Sequence, residues 1–155
     1  MINTPTKIIV HHSADTQQGD QLAKINEWHK HIEFTQSSLG YYVGYHYLIN
    51  HAGIVTQTRK DTDEGCHTIG QNLSSIGICL EGNFSEEEPT AEQELALGKL
   101  LVEKCGEYDI PYQRIFPHRH FSKKECFGTK LPDTWASIVA IQTDKFNSKE
   151  IQICS

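Results

Sequence analysis

The sequence has no long apolar run, no excess of basic residues and no obvious set of paired cysteines. No segment approaches the ~20 apolar residues of a membrane span, and the start, MINTPTKIIV, has no apolar run after a basic head. We therefore expect no secretory signal, no membrane insertion and a soluble cytoplasmic chain. The formal net charge of −6 argues against nucleic acid as a partner, because phosphate binding requires clustered Lys and Arg.

The cysteines do not have the spacing of a disulfide-stapled scaffold. Their number is odd, and they are spread along the chain as Cys66, Cys79, Cys105, Cys126 and Cys154. We expect reduced thiols, with at least one of them free or bound to a metal.

The remaining composition is that of an ordinary globular protein. With 155 residues, 37% of them hydrophobic and 22% charged, the chain has the size and composition of one folded domain. We find no internal repeat and no low-complexity tract. We predict a single domain over residues 1–155, with its core at about 7–141 and a loosely held polar tail at 142–155.

Apolar patterning predicts both strands and helices. Strands are expected at residues 7–13, 45–50, 54–58, 75–82 and 115–116, with 45–50 and 54–58 forming a hairpin. Helices are expected at residues 20–32, 90–108 and 131–142. Strands mixed with helices in this order predict an α/β fold, with a central mixed sheet flanked by helices on both faces. In the first helix, Leu22, Ile25, Trp28 and His29 form a stripe typical of packing, and His46 is also expected in the interior.

The stretch PHRHFSKKEC, Pro117 to Cys126, collects imidazole, ammonium and thiol groups in one polar loop. His118 and Cys126 are far enough apart in this loop to turn toward one ion, and His11 or His12, at the end of the first strand, offers a third ligand. Two nitrogens and a sulfur suit tetrahedral zinc with one position left for water, which is typical of a catalytic site.

Less specific interpretations of these residues also exist. A histidine at a strand end is more often a hydrogen-bonded core or surface residue, and a free cysteine is mostly a small buried hydrophobe. The neighbouring Lys123 and Lys124 favour the thiolate form of Cys126 that metal binding needs. Spacing alone leaves these alternatives open.

Six segments in one order resemble a known family: IIVHHSA, EWHK, VGYHYLI, HAGIVTQTR, GCHTIGQNLSSIGICLEGNF and HRHFSKKEC. The chain is similar over most of its length to the zinc-dependent N-acetylmuramoyl-L-alanine amidases, which include phage amidase-type lysozymes (endolysins) and peptidoglycan recognition proteins. The resemblance is closest to the phage enzymes, since related recycling amidases generally use aspartate as third ligand. It implies the fold of that family and hydrolysis of the amide between N-acetylmuramic acid and L-alanine in peptidoglycan.

Carried over by position, the resemblance implies a site for one zinc ion. Its ligands are His11, His118 and Cys126, and its catalytic residues are Tyr45 and Lys124. Without the resemblance, Tyr45 would be taken as a packed strand aromatic and Lys124 as a solvated loop charge.

Two further residues are expected at the substrate groove. His67 lies where family members carry a groove-lining histidine, and Asn72 is expected to shape the groove floor through loop hydrogen bonds. Two departures from the family pattern concern the metal-binding loop. Phe127 follows Cys126 where the family usually has proline, which predicts a looser turn, and His120 replaces a common acidic residue, so any orienting role of that carboxylate is in doubt.

The expected function is that of a monomeric phage or prophage endolysin that remains in the cytoplasm until a holin releases it to the cell wall. A non-catalytic peptidoglycan-binding module is the first alternative, although binding proteins of that kind lack the cysteine ligand. A second is a dual-role lysozyme that also regulates a polymerase.

Overall fold

The structure is a computed structural model that describes residues 1–154, with side chains up to residue 152. In this range five strands form one sheet in the order β3-β2-β4-β1-β5. They are β1 (Lys7–His12), β2 (Tyr47–Ile49), β3 (Val55–Gln57), β4 (Ser75–Leu80) and β5 (Ile115–Pro117). Neighbouring strands are parallel except at the edge, where β3 runs antiparallel to β2. The predicted hairpin and the mixed sheet are confirmed.

Three α-helices accompany the sheet in the described range: α1 (Gln21–His31), α2 (Ala91–Tyr108) and α3 (Trp135–Cys154). The side chain of Asp20 caps α1 by accepting a hydrogen bond from the Leu22 amide. At the start of α2, the Thr90 hydroxyl accepts from the Gln93 amide and the Gln93 side chain accepts from the Thr90 amide, each at 3.0 Å. This reciprocal pair is the capping box that the sequence predicts.

The last helix is longer than expected. We expected a loose polar tail from residue 142, but α3 continues to Cys154. The segment after Gln142 contains neither glycine nor proline, so nothing in it stops a helix that has already begun. Thr143 also packs where α2 has Gly98, at which a Cβ would lie 2.0 Å from the Thr143 hydroxyl. Ser155 lies outside the described residues.

The hydrophobic core lies on one face of the sheet. Alternate residues of the central strands point into it, and the apolar faces of α2 and α3 cover them. The fully buried members include Ile8, Val10, Ile76, Ile78, Leu80, Leu97, Leu101 and Ala140. Because α2 and α3 both pack on this face, the opposite face, which carries His11 and Cys79, remains for loops and α1.

The first helix does not pack as predicted. Only Gln21 and His29 are buried in α1, and Trp28 is 58% exposed. The prediction that Trp28 belongs to a packing stripe is wrong, because α1 borders a cleft instead of covering the core. His46, by contrast, is fully buried, with its Nδ1 accepting from the Gly77 amide at 3.0 Å.

Within residues 1–154, none of the helices combines the length and apolarity needed to cross a membrane. Cys66, Cys79, Cys105 and Cys126 are free thiols, as expected.

Candidate active site

The sheet register places two histidines side by side. In the parallel pair of β1 and β5, Val10 is opposite Pro117, so the next residues, His11 and His118, emerge together at the carboxyl ends of their strands. Their ring centroids are 4.4 Å apart. Parallel α/β sheets carry their sites at this end of the strands, because the following loops converge there.

The loop after β5 brings a thiol back to the same place. The Arg119 amide donates to the carbonyl of Cys126 at 2.7 Å, and the His12 amide points at the Cys126 sulfur at 3.3 Å. His11, His118 and Cys126 each offer one atom that could bind a metal ion, and these three atoms lie within 4.8 Å of one another. The structure therefore brings together the three residues named as ligands. The side chain of His12 lies elsewhere, with its Nδ1 accepting from the Phe84 amide at 3.0 Å.

Burial sets the protonation of these three groups. It lowers the pKa of His11 well below 6.5, helped by the neighbouring His67 and His118, and it also lowers the pKa of His118. Both imidazoles are therefore neutral at pH 7, the form that binds metals. Burial raises the pKa of the Cys126 thiol to about 12, against the opposing effect of the His12 amide and of Lys124. A metal ion must displace the thiol proton to bind there.

His67 supports His11 from behind. Its Nδ1 lies 2.9 Å from His11 Nε2 and 3.0 Å from the Thr68 hydroxyl. The ring occupies a slot between Gly65 and Gly77, since a Cβ at either glycine would lie 2.6 Å from it. The central strand thus carries glycine where the imidazole must approach the backbone closely.

Asn72 holds this loop instead of lining the cleft. Its side-chain oxygen accepts from the amides of His67 at 2.9 Å and Thr68 at 3.0 Å. The lining of the cleft includes His67 but not Asn72. The predicted loop hydrogen bonds are present, and Asn72 lies behind His67, outside the lining of the cleft.

Tyr45 lies beside His11, with ring centroids 5.0 Å apart. Burial raises its pKa well above 10, and the nearby Cys79 and Cys126 thiols add to this effect. Tyr45 therefore carries its proton at neutral pH. Lys124 is exposed in the metal-binding loop and also lines the cleft.

The turn after Cys126 is firmly held, so the expectation of a looser turn is wrong. Phe127 is fully buried and its ring meets that of Trp135 edge to face at 5.3 Å. The Arg119 guanidinium donates to the carbonyls of Gly128 and Leu131, both at 2.6 Å. An aromatic anchor and an arginine thus fix the turn in place of the usual proline. Sequence analysis did not single out Arg119, although an arginine directly after a candidate ligand was the available signal.

His120 has no part in holding the ligands. Its ring stacks on Phe116 at 4.7 Å and meets Phe121 at 4.8 Å, on the exposed side of the loop. In this chain the contact that orients His11 comes from His67 instead.

His11, His118 and Cys126 line a cleft with a volume of about 630 Å³. Its lining includes Tyr45 and His67, a wall formed by α1 and the residues after it, and the polar residues Ser13, Asn83 and Ser85. Sequence patterning missed the wall residues on α1, because their helical spacing is the same as that of a core-facing stripe.

A model of the N-acetylmuramoyl-L-alanine amidase family matches residues 2–129 of the sequence. The chain belongs to this family. Among curated relatives, the endolysin of Enterobacteria phage T3 is 29% identical over 148 residues, spanning 92% of this chain and 93% of that protein. Peptidoglycan-recognition protein SC2 of Drosophila melanogaster is 29% identical over 134 residues, or 83% of this chain and 73% of that protein.

A solved structure shares the fold of the enzyme. The N-acetylmuramoyl-L-alanine amidase LysC from Clostridium intestinale URNW has a TM-score of 0.76 at 28% sequence identity, covering 92% of this chain and 87% of that chain. The family and the amidase activity that the resemblance implied are thus confirmed.

Proposed function

We propose that the enzyme binds one zinc ion through His11, His118 and Cys126 and hydrolyses the amide between the lactyl group of N-acetylmuramic acid and L-alanine in peptidoglycan. The observation that carries the proposal is the convergence of two neutral imidazoles and one thiol within 4.8 Å at the floor of a cleft. Two nitrogens and a sulfur are a ligand set that zinc prefers, and three protein ligands are typical of its catalytic sites.

When bound, zinc lowers the pKa of a water molecule and polarises the carbonyl of the bond to be cleaved. His67 would orient His11 for this task. If His11 Nε2 donates its hydrogen to His67 Nδ1, the other ring nitrogen of His11 is left with a free electron pair for the metal. Partners of this kind are typically worth about 10- to 100-fold in metal affinity or activity.

Tyr45 and Lys124 would act on the substrate amide. The carbonyl oxygen gains negative charge when it is attacked, and both side chains can donate hydrogen bonds to it from the lining of the cleft. Tyr45 is protonated at neutral pH, so its hydroxyl has a hydrogen to donate to a charged oxygen. Its hydroxyl would also relay to the leaving amine the proton that the attacking water gives up.

Relatives named as endolysins support a role in cell-wall lysis. We propose that the enzyme is an endolysin that acts on peptidoglycan as a monomer after release from the cytoplasm. A non-catalytic binding module is disfavoured, because Cys126 is present and lies with the two histidines.

Mass spectrometry of digested peptidoglycan, combined with elemental analysis of the protein, tests both the bond and the metal. We expect free stem peptides beginning with L-alanine and one zinc per chain. Chelation should abolish activity and added zinc should restore it; full activity after complete metal removal would refute the mechanism.

Two variants separate metal binding from catalysis. Cys126→Ala should lose zinc, whereas Lys124→Ala should keep zinc and fold but turn over about 10²- to 10³-fold more slowly. Lys123→Ala is the matched control, since Lys123 is an equally exposed neighbour outside the cleft lining. Equal rates for Lys124→Ala and Lys123→Ala would remove Lys124 from the mechanism.

A further inference from the structure

The α1 wall of the cleft is apolar and unusually exposed. Ile25, Trp28, Ile32 and Phe34 line it, with Trp28 58% and Ile32 40% exposed. A contiguous apolar patch of this kind at a cleft is typical of a binding surface, since packing does not account for it.

The indole of Trp28 has one face available to a ligand. Its ring contact is with His31, one turn further along α1, at 5.8 Å. His29, the next residue after Trp28, turns inward instead, where its Nδ1 accepts from the Gly44 amide at 2.9 Å. His29 is therefore buried and hydrogen-bonded, whereas the side chain of Trp28 is largely exposed in the cleft.

The rest of the cleft lining has a different character. Ser13, Asn83, Ser85, Lys124 and Glu125 supply hydroxyl, amide and charged groups elsewhere in the lining. The substrate has two parts of different character as well, because a pyranose ring presents a flat face of C–H groups whereas the stem peptide presents amides and carboxylates. Matching the apolar surface to the sugar face and the polar groups to the peptide assigns the sugar to the apolar residues of α1.

The cleft joins α1 to the metal-ligand residues. Trp28 lines the same cleft as His11, His118 and Cys126. A lactyl group separates the bond to be cleaved from its sugar, so the sugar ring must lie to one side of those residues, within the same cleft.

We propose that Trp28 is a specificity-determining residue that packs its indole against a pyranose ring of the glycan part of the substrate. This inference rests on the proposed function, since it assigns one half of that substrate to one wall of the same cleft. Trp28 touches neither the metal-ligand residues nor the bond to be cleaved, so its contribution is to binding of the sugar.

Two substrates with the same amide test the assignment. Muramyl-L-alanyl-D-isoglutamine carries the sugar, and D-lactyl-L-alanyl-D-isoglutamine lacks it. We expect Trp28→Ala to raise KM for the muramyl substrate about tenfold with little change in kcat, to leave the lactyl substrate unaffected, and Trp28→Phe to retain most of the preference. Ile69→Ala is the matched control, because Ile69 is 97% exposed outside the cleft. Equal losses on both substrates, or no loss on either, would overturn the proposal.

A binding measurement separates this inference from the amidase mechanism. The chain has two tryptophans, and Trp135 is 9% exposed in the core, so a ligand on α1 should perturb the emission of Trp28. The peptide-free disaccharide of N-acetylglucosamine and N-acetylmuramic acid has no bond for the enzyme to cleave. It should shift the fluorescence of the wild type at millimolar concentration and leave that of Trp28→Phe unchanged. An equal response of both proteins, or none in the wild type, would contradict the sugar contact, whereas a normal response in a protein that cleaves no substrate would contradict only the proposed function.

Discussion

Replacing Arg119 by lysine should loosen the turn that carries Cys126. The guanidinium reaches two carbonyls at once, those of Gly128 and Leu131, and both residues are buried. The single ammonium of lysine cannot reproduce this fork, so at least one carbonyl loses a charged donor. A hydrogen bond from a charged group contributes about 1.5–3 kcal/mol, which gives an expected loss of about 2–3 kcal/mol in the free energy of unfolding.

The same substitution should also weaken metal binding. Gly128 is two residues from Cys126. If the Gly128 carbonyl loses its hydrogen bond, the turn can move and carry the Cys126 sulfur away from His11 and His118. We expect zinc affinity to fall about 10- to 100-fold, within the range seen when groups behind metal ligands are removed. The amide of Arg119, which donates to Cys126, is unchanged by the substitution, so the experiment isolates the side chain.

Urea denaturation of the chelated protein and competition with a chromophoric zinc chelator measure the two effects. Asp133→Asn is the matched control, because it removes only the third partner of Arg119, an exposed carboxylate at 2.5 Å. An exposed ion pair contributes at most about 1 kcal/mol, so this variant should keep its zinc affinity. The reasoning fails if Arg119→Lys matches the wild type in both assays, or if Asp133→Asn loses as much as Arg119→Lys.

Three further substitutions test other parts of the structure. Gly77→Ala should push the His67 ring out of its slot, since the new Cβ would lie 2.6 Å from it, and zinc affinity should fall in the chelator competition assay. Lys104→Met should cost about 3–5 kcal/mol in urea denaturation, because it leaves the buried carboxylate of Asp61, now 2.7 Å from Lys104, without its cation. Burial, together with the positive charge of Arg59, lowers the pKa of His29 to about 4 from an ordinary 6.5. The unfolded chain therefore takes up a proton between these pH values that the folded chain does not. His29→Asn removes this titrating group, so the stability lost as the pH falls from 6.5 toward 4 should be about 2 kcal/mol smaller than in the wild type.

Each of these three substitutions has a matched control variant. Gly106→Ala adds the same methyl group to α2, where nothing lies within 4 Å, and should keep zinc affinity. Lys99→Met removes an exposed lysine from the same helix and should stay within about 0.5 kcal/mol of the wild type. His31→Asn removes an exposed histidine of α1 and leaves His29 in place, so the loss of stability assigned to His29 should remain. A control that behaves like its partner would refute the corresponding explanation.

The strands and the capped helix starts could be predicted because each depends on local sequence, whereas the ligand set of His11, His118 and Cys126 was implied only by the family resemblance. A run such as KIIVHH or a Thr90–Gln93 capping box has few alternative structures. Trp28 was misplaced for a physical reason: helical spacing shows that side chains share a face, but not whether that face meets a core or an open cleft. The support of His11 by His67 was also invisible, because it depends on two glycines separated along the chain that make room for one ring.

The two faces of the sheet are stabilised by different interactions, which explains why the site can be rigid without an apolar core around it. The face covered by α2 and α3 carries the hydrophobic core. Behind the cleft, the guanidinium of the buried Arg59 donates instead to three backbone carbonyls, those of Val43 at 2.7 Å, Glu64 at 3.1 Å and Thr35 at 2.6 Å. Buried polar groups that are fully hydrogen-bonded fix one arrangement, because any displacement leaves a donor or acceptor unpaired at a cost of about 1–3 kcal/mol. Substitutions on the hydrophobic face should therefore lower stability with little effect on zinc affinity, whereas loss of one donor behind the cleft should change both.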